Sequence, residues 1–121
     1  MNLPTSLVFC NPQVDPVVVT QVLGLEPTLA EREPHLGTWK LTIPGNVEGA
    51  NLEEQLQRWL DLLSPKMAEL QRLDALGYAP YLDCPGLRAD LSVCIEPAVM
   101  RRFGELGVAL SIWLYEHPAL F

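Results

Sequence analysis

The chain has 121 residues, 49% hydrophobic and 19% charged, the proportions of one globular domain spanning residues 1–121 rather than of a disordered or repetitive polypeptide. Fifteen acidic residues against eight basic ones give a net charge of −7, spread over both halves. A surface of that sign repels phosphate backbones and anionic lipid, so nucleic acid and membranes are not expected partners.

The elements follow in chain order. Ser6 to Cys10 alternates Leu7 and Phe9 with Val8 and Cys10, which predicts a strand. Asp15 can cap a helix that starts at Pro16, where a missing N–H costs nothing, and stops at Gly24. Residues 25–37 hold Pro27, Pro34 and Gly37 and read as an irregular insertion loop. In the next strand, Trp39, Leu41 and Ile43 alternate with Thr38, Lys40 and Thr42 until Pro44 and Gly45 stop it.

Asn51 with Glu54 three residues on has the spacing of a capping box, and Leu52, Leu56, Trp59, Leu60 and Leu63 follow at helical intervals. Ser64-Pro65 breaks and restarts the helix, which then runs through Met67, Leu70, Leu73 and Leu76 to Gly77. Tyr78 to Asp83 predicts a weaker strand interrupted by Pro80, and Cys84-Pro85-Gly86 reads as a turn. A strand over Asp90–Ile95, a helix over Pro97–Leu106 ended by Gly107 and a last strand over Val108–Tyr115 complete the order.

Leu7 to Pro12, a helix, Leu23-Gly24 and a Trp-bearing strand parallel Leu91 to Pro97, a helix, Leu106-Gly107 and Trp113. Two such β-α-β units predict a ferredoxin-like α+β sandwich, with helices on one face of a mixed sheet. The aliphatic positions would then point to the helices. Thr38, Lys40, Thr42, Ser92, Cys94, Ser111, Trp113 and Tyr115 would occupy the open face. Aromatics with polar tips among small polar residues suit a recognition surface.

Glu26, Glu31 and Glu33 in the loop could steer a basic partner, although solubilising charge explains them as well. Arg101-Arg102 reads as a solvated helix face. Cys10, Cys84 and Cys94 are odd in number, which favours free thiols in a reducing cytoplasm; a Cys84–Cys94 bridge across paired strands is the alternative. The amino terminus has no basic stretch ahead of an apolar core, so no secretory signal is expected, and no run of apolar residues would span a membrane. No thiol has a local base beside it, no ligand pair has the close spacing of a zinc site, and no glycine-rich phosphate loop occurs. Neither a metal nor another cofactor is expected.

The order resembles a family of small bacterial domains of unknown function, the one numbered four-two-seven-nine. The resemblance rests on Asp15-Pro16, Leu23-Gly24-Leu25-Glu26-Pro27-Thr28, Trp39, Leu52-Glu53-Glu54-Gln55-Leu56 and Leu106-Gly107 before a Leu-Ser-Ile strand. It implies a compact α+β domain without established activity, some relatives of which look like immunity partners of secreted toxins. The leading expectation is a non-enzymatic module that acts through a protein partner, an immunity-like neutraliser of a basic toxin. A second reading places a small-molecule or enzymatic pocket between the sheet and loop 25–37, using Tyr81, Trp113 or Lys40. A third is a structural homodimer joined through the open sheet face.

Overall fold

A computed structural model describes residues 3–45, 50–88 and 94–115. Its elements are β1 (Ser6–Asn11), α1 (Pro16–Leu23), β2 (Leu29–Glu33), β3 (Leu36–Thr42), α2 (Leu52–Leu63), a 3-10 turn (Ser64–Lys66), α3 (Met67–Ala75), β4 (Tyr81–Arg88), α4 (Pro97–Leu106) and β5 (Ala109–Tyr115). They form one five-stranded sheet in the order β2-β3-β1-β4-β5. β3 runs antiparallel to both β2 and β1, β1 antiparallel to β4, and β4 parallel to β5.

Two crossovers therefore interleave. The connection from β1 through α1 to β2 straddles β3, and the one from β3 through α2 and α3 to β4 straddles β1. That is the ferredoxin-like α+β arrangement, extended at one edge when α4 carries the chain from β4 to the parallel β5.

Local chemistry sets the helix ends. The Asp15 carboxylate accepts from the Val17 N–H at 3.0 Å, and the Asn51 side chain accepts from the Glu54 N–H at 2.8 Å. Gly24 and Gly107 stop α1 and α4 at φ of 68° and 73°, a left-handed conformation that side chains resist. The Lys66 ammonium donates to the Leu23 carbonyl at 2.7 Å and so closes the free end of α1.

Among the described residues, helices α1, α2, α3 and α4 pack on one side of the sheet. Leu7, Phe9, Trp39, Leu41, Leu82 and Cys84 alternate toward them and join Val19, Leu23, Leu56, Trp59, Leu63, Leu73 and Phe103 in a single core. Phe9 and Trp39 meet edge to face at 5.7 Å. Both buried indole N–H groups there find acceptors. Trp39 Nε1 donates to Thr20 Oγ1 at 3.0 Å, and Trp59 Nε1 donates to Thr5 Oγ1 at 2.8 Å. The Thr5 hydroxyl in turn donates to Gln55 Oε1, which also takes the Thr5 N–H.

Four readings of the sequence need correction. Residues 25–37 are not an irregular loop, because Leu29–Glu33 pairs edge-on with β3 and the segment extends the sheet in its own plane. With that hairpin inserted, the Trp39 strand runs antiparallel to β1 and cannot be the parallel partner that a simple β-α-β repeat would make it. Pro80 precedes β4 instead of interrupting it, and its carbonyl accepts from the Ala109 N–H. Cys84-Pro85-Gly86 is no turn: β4 passes through it to Arg88 with a bulge between Cys84 and Leu87, the irregularity that lets a strand carry a proline. Most of the strand expected over 90–95 lies outside the described residues, and Cys94 and Ile95 are irregular chain ahead of α4.

Candidate docking face of the sheet

The side of the sheet away from the helices is built from the other alternation of each strand. Paired residues point the same way, so register alone assembles rows across it. One row runs Leu29, Lys40, Val8, Tyr81, Ala109 over all five strands. A second runs Thr42, Ser6, Asp83, Ser111, and a third Glu31, Thr38, Cys10. Trp113 follows Ser111 on β5 and stands 63% exposed, against 0% for Trp39 and Trp59.

This face is graded from a dry centre to a wet edge. Val8 and Ser6 on the central strand are buried although, among the described residues, no helix lies over them, flanked in register by half-buried Lys40 and Tyr81 and by Thr42 and Asp83. The Lys40 stem and the Tyr81 ring, in register with Val8 on either side, offer apolar area beside it. The Ser6 and Thr42 hydroxyls lie 3.3 Å apart, and the Cys10 thiol lies 3.5 Å from the Thr38 hydroxyl. Burial raises the Tyr81 phenol pKa, and the neighbouring Cys10 and Asp83 raise it further. Tyr81 therefore stays a neutral hydrogen-bonding phenol at physiological pH.

Of the residues singled out in the sequence, Lys40, Tyr81 and Trp113 share this face, as do Thr38, Thr42 and Ser111. Glu31 and Glu33 join it at the β2 edge in register with Thr38 and Leu36, and Glu26 is exposed in the segment before β2. Tyr115 ends β5 in register with Arg88. Cys94 is exposed and off the sheet, and Ser92 lies outside the described residues. Asp83, Ser6, Cys10 and Leu29 belong to the face and were missed. The alternation of Ser6 to Cys10 could have placed the two β1 residues, whereas Leu29 and Asp83 required the pairing partners.

On the opposite side of β4, Leu82 and Cys84 face the core. Cys84 is buried against the helices, where burial, helped by the Asp83 charge, pushes its thiol up to about 12, far from a nucleophile's range. Cys10, Cys84 and Cys94 are free thiols. Among the described residues no three or more His, Cys, Asp or Glu side chains group as metal ligands, and no helix is long and apolar enough to cross a membrane. No curated protein and no solved structure matches the chain significantly. A family model does match, over residues 2–117: the chain belongs to the DUF4279 family, a domain of unknown function.

Proposed function

We propose that the chain is a non-enzymatic binding module that grips a basic protein partner with the open face of its sheet, in the manner of an immunity protein that neutralises a toxin. The observation that carries this reading is Trp113, 63% exposed on a sheet face that no helix covers among the described residues, beside Ser111 and the Lys40–Val8–Tyr81 row. A large indole held on a strand offers contact area without ordering a loop, the usual chemistry of an interface anchor. The net charge of −7, with Glu31, Glu33 and Asp83 on the same face, would draw a basic partner in and align it.

The test is a titration against a protein that co-purifies with the chain from the cells that make it. Trp113→Ala should weaken binding at least about tenfold, the loss of an interface anchor, while Met100→Ser on α4 leaves it unchanged. Association should also slow as salt rises, because exposed charges are screened beyond ~10 Å at 0.1 M ionic strength. Equal affinities for the two variants would refute the reading.

A further inference from the structure

The two edges of the sheet are defended unequally. β2 carries Glu31, Arg32 and Glu33 with Pro34 directly after it, the charges and proline that keep an edge from adding strands. β5, Ala-Leu-Ser-Ile-Trp-Leu-Tyr, has no charge, proline or glycine in seven residues, and Ile112 and Trp113 are 38% and 63% exposed. Among the described residues no strand lies on its outer side.

The backbone phase along β5 is fixed by its inner partner. The Ala109 N–H donates to the Pro80 carbonyl at 3.2 Å, and Ala109 and Ser111 stand in parallel register with Tyr81 and Asp83. In a parallel ladder one residue in two bonds inward, so Leu110 and Ile112 turn their N–H and C=O groups to the free edge.

We propose that this edge pairs with β5 of a second copy, antiparallel about a twofold axis through Ile112. At that register Ile112 meets its own counterpart as a hydrogen-bonded pair, which matches the outward phase of its backbone. Ser111 then falls opposite Trp113 in both directions, a small side chain under a large one on the open face, and no charge faces a like charge. The strand thus complements itself along a segment free of the repulsion that two chains of −7 exert elsewhere. The product is one continuous sheet twice as wide, with the two docking faces side by side. This pairing uses the strand edge and stands apart from capture of a foreign protein on the face.

Light scattering on the purified full chain tests it. Over roughly 10 to 200 µM the mass should rise with concentration toward twice the 13.5 kDa of one chain. The transition should move to lower concentration as salt rises, since salt screens the mutual repulsion. Ile112→Pro removes an N–H that the β4 ladder does not use, and an edge tolerates proline there; it should leave a folded monomer throughout the range. Should that variant lose its fold by circular dichroism, Ile112→Lys, which keeps the N–H, decides the matter with the same expected loss. A wild-type chain monomeric at every concentration and salt, a dimer untouched in the folded variant, or a monomer whose β5 takes up only foreign extended peptides would overturn self-pairing.

Discussion

Gly37 lies where the β2–β3 hairpin meets the turn leading into α1. Its φ is not positive, so alanine meets no backbone penalty there, yet a Cβ would stand 1.8 Å from the Val14 carbonyl oxygen and 2.8 Å from the carbonyl carbon. Both obstacles are backbone. The hairpin or the turn must retreat by more than an ångström, and the Arg32 guanidinium, which donates to the Pro12 and Val14 carbonyls at 2.8 and 3.3 Å, loses its clasp across the same junction. Overpacking costs about 1 to 3 kcal/mol and a charge-assisted hydrogen bond about 1.5 kcal/mol, so Gly37→Ala should destabilise by about 3 kcal/mol. For a chain of this length that lowers Tm by roughly 10 to 15 °C. Urea and thermal unfolding followed by circular dichroism give the value. The double variant with Arg32→Ala should lose less than the sum of the two single losses, because the first change already breaks what the second removes. A Gly37→Ala loss below about 0.5 kcal/mol, or strict additivity, would refute the reasoning.

The remaining predictions concern other parts of the molecule. Gly104 lies inside α4 with open space where a Cβ would go, so Gly104→Ala should stabilise by about 0.5 to 1 kcal/mol, and a lower Tm would contradict this. Thr5→Val takes the acceptor from buried Trp59 Nε1 and should cost about 2 kcal/mol in urea unfolding, whereas Thr5→Ser keeps the hydroxyl and most of the stability. In thiol titration near pH 8, exposed Cys94 should react at once and Cys84 only after unfolding; equal rates would contradict the burial. Because the Cys84 thiol ionises near an ordinary 9.0 in the unfolded chain but only at about 12 when folded, the unfolded state binds fewer protons between those values. Its contribution to stability is therefore constant below pH 9 and falls as pH rises from there, which Cys84→Ala should flatten.

Where the sequence carried a cap or an alternation, the fold was readable from it. Asp15-Pro16, Asn51 and Pro97 mark the starts of α1, α2 and α4, and Gly24 and Gly107 mark two of their ends, because unpaired N–H groups and left-handed stops select few residue types. The alternation of Trp39 with Lys40 gave both faces of β3. What escaped depended on neighbours. Leu29–Glu33 is exposed throughout and shows no buried alternation, so only its pairing with β3 reveals it as a strand. Pro85 and Gly86 read as a turn, yet lie within β4, where a bulge absorbs the irregularity. The candidate docking face was half legible for the same reason. Trp113, Tyr81 and Lys40 stand out as residue types, but their company with Ser6, Cys10 and Asp83 follows from register between strands distant in sequence.

The role of the sheet face opposite the helices is tested most directly by placing a photo-crosslinking benzoylphenylalanine at position 113 and, in a second protein, at position 17 on α1. Trp113 and Val17 are matched at 63% and 61% exposure, so accessibility does not separate them. Irradiated in the cells that make the chain, the probe at 113 should join a basic protein to it and the probe at 17 should not. Adducts formed from position 17 alone would show that partners meet the helical side, and would contradict a docking role for the sheet.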